Sequence, residues 1–207
     1  WFLENDGFEI YYNNFNMRVK RLLDILMAVV IGTICLPLML IAAVIVKLGS
    51  KGPVLFVQER IGELNRPFDM YKFRSMAQDA EKDGPQWAQK NDARITRFGK
   101  FMRLTRIDEL PQLWNVIRGD MSFVGPRPER EFFIKQLEKE IPYYNLRHTV
   151  KPGLTGWAQI MYQYGSTIDD SYIKLQYDLY YIKHHNIIFD FMIILNTITT
   201  VILGKGR

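Results

Sequence analysis

The sequence predicts an α+β protein that is mainly helical, with one long apolar helix attached to a small domain containing a β-hairpin and amphipathic helices. Three observations predict this fold class: an uncharged apolar run at 25–46, strand-like alternation on both sides of a turn at 62–66, and basic residues spaced among apolar ones over 94–106. With 207 residues, 48% hydrophobic and 24% charged, the chain suffices for one domain with a core, and its composition excludes a disordered protein.

Changes in composition divide the chain into three parts. Residues 1–17 form a polar N-terminal lead-in, residues 18–50 contain the apolar run and its basic flanks, and residues 51–207 form the domain with C-terminal helices at the membrane interface. The lead-in lacks the basic start and the cleavage pattern of a signal peptide. Because the chain begins with Trp1 instead of Met, we expect it to be part of a longer protein or a processed form.

Charge and cysteine content limit the kinds of site that the chain can carry. A net charge of +5 and an isoelectric point near 9.2 favour anionic partners, whether phosphates, nucleic acid or acidic lipid. The single cysteine, Cys35, excludes an internal disulfide, and the three histidines lack zinc-type spacing. Neither a GxGxxG fingerprint nor a Walker A loop occurs, so the common nucleotide-binding motifs are excluded.

The apolar run at 25–46 is long enough to cross a bilayer, because a helix of this length spans roughly 33 Å. Pro37 interrupts it, favours a bend, and leaves two arms that each reach about halfway across. Basic residues flank both ends: Arg18, Lys20, Arg21, Lys47 and Lys51. Lys and Arg are enriched on the cytoplasmic side of membrane helices, so basic residues at both ends fit a helix that enters and leaves by the same face. The length of the run fits a spanning helix instead, and the spanning form and the re-entrant form hinged at Pro37 are equally favoured. Carbonyls freed near Pro37 need partners, such as the Thr33 hydroxyl or another helix.

A second apolar segment lies near the C-terminus at 187–203. Asp190 and Asn196 interrupt it, which makes it too polar for a confident membrane span and predicts a helix at the interface or packed on the domain. Four tyrosines precede it: Tyr172, Tyr177, Tyr180 and Tyr181. Such aromatics suit the headgroup level, but a buried aromatic helix in an ordinary core is equally compatible with them.

Short elements and turns make up the rest of the domain. Strand composition on both sides of the turn at 62–66 predicts a hairpin over 53–76. The following elements are then predicted in order: a loop with some helix over 77–92, an amphipathic basic segment over 94–106, a helix over 109–117, a helix over 129–141, and Gly- and Pro-rich turns at 125–128 and 151–157.

Two adjacent carboxylates, Asp108 and Glu109, stand at the start of the predicted helix 109–117. Helical neighbours point about 100° apart, so the pair suits two separate tasks, although helix capping is an alternative role. A carboxylate can attack phosphorus when cations neutralise the phosphoryl oxygens. Candidate cations are Lys72, Arg74, Arg103, Arg106 and Arg127, each of which could instead form a structural ion pair. A carboxylate with substrate phosphates is also a typical magnesium arrangement, which makes Asp108 and Glu109 candidate metal ligands.

Five motifs in a fixed order connect the chain to a known family. They are the segments at 20–24 (KRLLD), 71–76 (YKFRSM), 107–112 (IDELPQ), 119–128 (GDMSFVGPRP) and 152–159 (PGLTGWAQ). On these motifs the chain resembles, over about 18–203, the bacterial sugar transferases known as monotopic phosphoglycosyl transferases. The start at Trp1 fits a catalytic portion of the long form of that family. That form is associated with dimers, so a homodimer is an expected assembly.

The resemblance implies a specific reaction: transfer of a phosphosugar from a UDP-sugar to a polyprenyl phosphate, usually undecaprenyl phosphate, with release of UMP. This is the first membrane step in the synthesis of surface polysaccharides or glycoconjugates, at the cytoplasmic face of the bacterial inner membrane. The implied fold is a re-entrant membrane helix hairpin, broken at Pro37, plus a small cytoplasmic catalytic domain with interfacial amphipathic helices. Membrane lipid is then a partner and nucleic acid is not.

The resemblance also implies roles for individual residues. Asp108 is the expected nucleophile and forms a covalent phosphosugar-aspartyl intermediate, while Glu109 assists with proton handling or with the required Mg²⁺. Lys72, Arg103 and Arg127 match residues of the family's polar active site.

Sugar identity is not predicted. After the WAQ at 157–159, many relatives continue with Val-Asn-Gly-Arg-Asn, whereas this chain differs over 160–166, so no sugar- or uridine-binding residue can be assigned. Two other functions stay open. One is a membrane-bound UDP-sugar diphosphohydrolase, in which water takes the aspartyl adduct. The other is a non-enzymatic membrane or nucleic-acid binder that uses the basic segment 94–106.

Overall fold

The structure is a computed structural model that describes residues 14–77, 80, 84, 92–162 and 167–202. The helices are α1 (Asn14–Gly49), α2 (Arg97–Thr105), α3 (Leu113–Arg118), α4 (Glu131–Glu140), α5 (Trp157–Met161), α6 (Ile168–His184) and α7 (Ile187–Ile202). The strands are β1 (Leu55–Ile61), β2 (Pro67–Phe73), β3 (Ser122–Val124) and β4 (Gly153–Thr155), and 3₁₀ turns occupy Glu63–Asn65, Ile107–Gln112 and Tyr144–Thr149. The mainly helical α+β prediction is confirmed; most of the lead-in and of the predicted 77–92 loop lie outside the described residues.

Helix α1 continues as one element through Pro37. Its segment Met17–Gly49 is long and apolar enough to cross a membrane, judged by length and composition. The Thr33 hydroxyl donates to the Val29 carbonyl at 2.8 Å, one turn earlier. The prediction that Thr33 serves a carbonyl freed by Pro37 is therefore wrong, since the carbonyl that loses its donor four residues later is that of Thr33 itself.

Both arms of α1 pack on the same domain. Before Pro37, Ala28 belongs to the main hydrophobic core. After Pro37, Ala42 and Val46 form a second core cluster with Phe73 of β2. Ala42 and Val46 lie about four and five helical turns after Ala28, so the three residues share one face of α1. The large apolar side chains on the other faces of α1 are mostly exposed.

The predicted β-hairpin is confirmed. Strands β1 and β2 pair antiparallel from Leu55 opposite Phe73 to Ile61 opposite Pro67. The connecting turn is closed by the backbone N–H of Gly62, which donates to the Arg66 carbonyl at 2.9 Å. Strand β2 lies against the 3₁₀ turn Ile107–Gln112, so the fold brings the hairpin to the carboxylate pair.

The two Gly- and Pro-rich turns lie beside each other. Strand β3 ends at the first turn and pairs in parallel with β4, which begins in the second. A Cβ on Gly153 would lie 2.2 Å from the backbone nitrogen of Gly125, so this close approach requires glycine. The sequence predicts both turns, but parallel pairing between segments about thirty residues apart leaves no local pattern.

The C-terminal helix α7 packs on the domain along one face. Ile193 is fully buried in the main core, and Asp190 accepts hydrogen bonds from Tyr181 at 2.7 Å and from Lys20 of α1 at 2.5 Å. Ile188 and Phe191 point outward. The preceding helix α6 shows the same division, because Tyr181 is buried whereas Tyr172 and Tyr180 are exposed.

Candidate active site

The carboxylate pair lies in the 3₁₀ turn between α2 and α3. Arg106 ends α2 in the left-handed conformation, with φ of 59°, and turns the chain toward the pair. The helix predicted from 109 is α-helical only from Leu113 onward. Pro111 lacks the N–H that would extend this α-helix back to the carbonyl of Ile107. Gly119 ends α3 with φ of 96°, as its position after the predicted helix indicates.

Glu109 is the centre of a cation cluster. Its Oε1 lies 2.7 Å from Nη2 of Arg127, 3.4 Å from Nη1 of Arg106 and 3.6 Å from Nζ of Lys72. Burial alone would raise the pKa of Glu109, but the charges of Arg127, Lys72 and Arg106 together hold that pKa well below its usual range. Glu109 therefore stays ionised and orients three cations that come from three different parts of the chain.

Asp108 has the opposite environment. Its side chain is buried, and its Oδ1 has no hydrogen-bond partner among the described residues. Burial, followed by the negative charge of Glu109, raises the pKa of Asp108, while Lys72, Arg103 and Arg106 act in the other direction. A buried carboxylate oxygen without a partner, beside several cations, is available for a nucleophilic attack or for binding a metal ion.

Lys72 is a cation that can lose its charge near neutral pH. Burial lowers its pKa to about 8, against the opposing effect of Glu109 and with additional lowering by Arg127 and Arg60. It lies in β2, directly opposite Phe56 of β1 in the hairpin. The predicted phosphate ligand Lys72 is thus part of the cluster, and its charge depends on Glu109.

Two of the other predicted phosphate ligands, Arg103 and Arg74, occupy different places. Arg103 donates from Nε to the Ser75 hydroxyl at 2.8 Å, and its charge lowers the pKa of Asp108, so it belongs to the site. Arg74 does not join the cluster. Its guanidinium donates to the carbonyl oxygens of Ser50 and Lys51, at 2.9 and 2.8 Å, and to the Ser50 hydroxyl at 2.8 Å. In this geometry Arg74 joins the end of α1 to β2, and its phosphate-binding role stays a prediction.

Arg127 projects from the turn at 126–128 toward Glu109, as the flanking prolines suggest. Sequence reasoning assigned no role to the two arginines that hold this turn, Arg60 and Arg147. It also missed Gln112, which is buried with an Nε2 that has no partner among the described residues. The sequence signal that could have pointed to Gln112 was its position four residues after Asp108 on the same short element.

The candidate protein ligands of the predicted magnesium site are two carboxylates, those of Asp108 and Glu109. Among the described residues, no group of three or more His, Cys, Asp or Glu side chains could form a metal cage. The unpartnered Oδ1 of Asp108 fits Mg²⁺, which in many phosphate-binding sites takes only one or two carboxylates plus substrate phosphates. Glu109 fits less well, because its Oε1 already faces three cations. Mg²⁺ binding stays a prediction.

Known proteins resemble this chain over nearly its whole length. Residues 15–204 match the family model described as bacterial sugar transferase. A UDP-N-acetylgalactosamine-undecaprenyl-phosphate N-acetylgalactosaminephosphotransferase from Aeromonas hydrophila is 50% identical over 188 residues, covering 91% of this chain and 44% of that protein. A UDP-glucose:undecaprenyl-phosphate glucose-1-phosphate transferase from Klebsiella pneumoniae is 42% identical over 201 residues, covering 96% and 43%.

A shorter relative matches from end to end. The exopolysaccharide production protein PSS from Rhizobium leguminosarum bv. phaseoli is 39% identical over 198 residues, which cover 92% of this chain and 99% of that protein. In contrast, the chain spans less than half the length of the Aeromonas and Klebsiella relatives. The match of the family model to all but the ends of the chain shows that this protein belongs to the bacterial sugar transferase family.

Proposed function

We propose that this chain is the catalytic portion of a transferase that moves a sugar 1-phosphate from a UDP-sugar to undecaprenyl phosphate and releases UMP. The relatives whose names state an activity act on these two kinds of substrate. The observation that carries the proposal is the environment of Asp108, whose buried Oδ1 has no partner among the described residues and lies beside a cation cluster. Such a carboxylate is suited to attack a phosphoryl group whose charge the cations offset.

The proposed reaction has two steps. First, a carboxylate oxygen of Asp108 forms a bond to the β-phosphorus of the UDP-sugar, the bond from that phosphorus to the bridging oxygen breaks, and UMP leaves with the electron pair. Then an oxygen of the prenyl phosphate attacks the same phosphorus, the Asp108–phosphorus bond breaks, and the carboxylate is restored. Because the donor and the acceptor react in turn, the soluble substrate and the lipid never need to be bound together.

The other residues of the cluster act on charge. Lys72, Arg103, Arg106 and Arg127 offset the negative charge of the diphosphate and of the departing UMP. Glu109 keeps three of these cations in place and, because it stays ionised, is better suited to that task than to accepting a proton. When bound, Mg²⁺ would neutralise further phosphate charge, held by Asp108 and the substrate phosphates.

Helix α1 is proposed to re-enter the membrane and leave by the same face. Near its start, Arg21 donates to the Val116 carbonyl at 2.5 Å, and just after its end Ser50 accepts from Arg74. A helix crossing the bilayer would carry one of these ends away from the domain. Contacts of both ends, and buried side chains on both sides of Pro37, therefore support a re-entrant helix. The catalytic domain would then lie at the cytoplasmic face of the inner membrane. A second copy of this chain is a proposed partner there.

A labelled-donor assay tests the reaction. The protein in lipid nanodiscs receives Mg²⁺, undecaprenyl phosphate and a panel of labelled UDP-sugars that includes glucose and N-acetylgalactosamine. We expect an undecaprenyl-diphosphate sugar and UMP, and, when the acceptor is omitted and the reaction is quenched rapidly, an Asp108 peptide heavier by a phosphosugar. Free sugar phosphate as the main product would instead support the diphosphohydrolase, which the comparisons do not support.

A further inference from the structure

Three consecutive carbonyl groups of the turn at 126–128, the Pro-Arg-Pro turn, accept hydrogen bonds from three different parts of the chain. The first accepts from the backbone N–H of Gly153 at 2.9 Å, the second from Nη2 of Arg147 at 2.9 Å and the third from Nη1 of Arg60 at 3.3 Å. The two prolines have no N–H, so the main-chain groups through which the rest of the fold can hold the turn are these three carbonyls and the N–H of Arg127.

Arg147, which holds the middle carbonyl, is itself tightly fixed. Its Nη2 also lies 2.8 Å from Oδ2 of Asp178 on α6, and its Nη1 donates to the Tyr144 hydroxyl at 2.6 Å. Its guanidinium carbon lies 5.1 Å from the centroid of the Tyr144 ring, within the range of a cation–π contact. The side chains of Arg147 and Asp178 are only 9% and 3% exposed, so this ion pair is withdrawn from water.

A buried ion pair is weak evidence for stability, because desolvation offsets much of the attraction, and in some proteins such a pair instead fixes one conformation. Here the pair ends on the backbone of Arg127, whose side chain lies 2.7 Å from Glu109. Asp178, Arg147, Arg127 and Glu109 thus form a continuous chain of contacts from α6 to the carboxylate pair.

We infer that Arg147, held by Asp178, is a positioning residue that fixes the backbone of Arg127 so that its guanidinium reaches Glu109. Arg60 is the matching contact on the other side of the turn, through the Pro128 carbonyl. No contact joins Arg147 directly to Asp108 or Glu109 within the described ranges, so its influence on the chemistry passes through Arg127. The inference rests on the proposed function, in which a misplacement of about 1 Å can cost about 100-fold in rate.

A double-mutant cycle in the full chain separates positioning from general stability. We expect Arg127→Gln to lower kcat/KM by about 100-fold and Arg147→Met by about tenfold, whereas Arg147→Met added to Arg127→Gln changes it by less than about twofold. Factors that simply multiply, so that Arg147→Met lowers kcat/KM by the same factor with and without Arg127→Gln, would show that Arg147 acts only through stability.

Asp178→Asn provides a second variant if Arg147→Met does not fold. It keeps the side-chain shape and removes the charge that holds Arg147. Like Arg147→Met, it is expected to lower kcat/KM when Arg127 is present and to change it by less than about twofold in the Arg127→Gln background. The matched control is Lys135→Gln, which breaks an exposed ion pair with Glu131 on α4 and is expected to leave kcat/KM unchanged.

Hydrogen exchange followed by mass spectrometry tests the contact without using activity. Peptides that cover 125–131 should exchange faster in Arg147→Met than in Lys135→Gln, because the turn has lost one of its three carbonyl partners. Unchanged exchange would overturn the positioning role even if activity falls. A different outcome separates the two proposals. If the wild-type protein made no lipid-linked sugar but Arg147→Met still exchanged faster than Lys135→Gln, the proposed function would be refuted and the positioning role of Arg147 would stand.

Discussion

The carboxylate of Glu109 and the guanidinium of Arg127 lie 2.7 Å apart, although they belong to separate turns of the domain. The same Glu109 oxygen faces Arg106 and Lys72, while the neighbouring Asp108 has an oxygen without a partner in the described part of the chain. The surroundings therefore shift the pKa values of two adjacent residues of similar chemistry in opposite directions, upward for Asp108 and downward for Glu109. This division, one carboxylate holding cations and the other left available, is the basis of the following predictions.

Replacing Asp108 by Asn should abolish transfer, with kcat at least about 10³-fold lower, because an amide cannot form the proposed bond to phosphorus. The fold should be retained, since Asn has the same shape and Asp108 is a buried carboxylate whose pKa is already raised. Product formation and melting temperature in nanodiscs measure both effects. Glu131→Gln, at an exposed position on α4, is the matched carboxylate control, and near-wild-type turnover of Asp108→Asn would disprove the assignment.

Replacing Glu109 by Gln should move both limbs of the pH profile of kcat/KM to lower pH. The charge of Glu109 raises the pKa of Asp108, so its removal lets Asp108 ionise at lower pH and shifts the acidic limb down. The same charge raises the pKa of Lys72, so its removal shifts the basic limb down as well. Residual activity measured across the pH range checks this result, and a shift of either limb to higher pH would contradict the electrostatic coupling.

The hairpin and the position of the carboxylate pair were predictable because they depend on local patterns: strand alternation around a Gly62 turn, and acidic residues before Pro111. The parallel β3–β4 pair was not, because it joins distant segments through backbone contacts. The contact of Arg74 with the end of α1 was missed for a different reason. Strand alternation places Lys72 and residue 74 on one face, but the pairing ends at Phe73, and beyond it the chain turns Arg74 toward the end of α1.

Lys72 should set the alkaline limit of the free enzyme. Its pKa of about 8 means that it is charged below that pH and neutral above it, so kcat/KM should fall as the pH rises through about 8. Lys72→Arg keeps a cation at all these pH values and should remove the limb, even if the rate at pH 7 is reduced. A basic limb that stays near pH 8 in Lys72→Arg would assign it to another group.

Gly153→Ala should unfold the two turns that hold the site. Its Cβ would lie 2.2 Å from the nitrogen of Gly125, a backbone atom that cannot move aside cheaply, so we expect destabilisation of about 3 kcal/mol or more and a loss of activity. Gly49→Ala is the matched control, because a Cβ there meets no atom within 4 Å. Thermal unfolding of both variants compares them, and equal melting temperatures would disprove the required close approach.

Replacing Pro37 by Leu should straighten α1 toward a membrane-spanning form, because the substitution restores the N–H that an unbent helix uses at this position. Topology is measured by labelling a single cysteine introduced at Gly49, after Cys35 has been replaced by Ala. In inverted vesicles of known orientation, the protein with Pro37 should be labelled only from the cytoplasmic side. The Leu variant should gain labelling from the opposite side, although contacts of Ala42 and Val46 with the domain oppose this change. Far-side labelling with Pro37 present would refute the re-entrant arrangement, and cytoplasmic labelling alone in both proteins would show that those contacts, and not the proline, fix the topology.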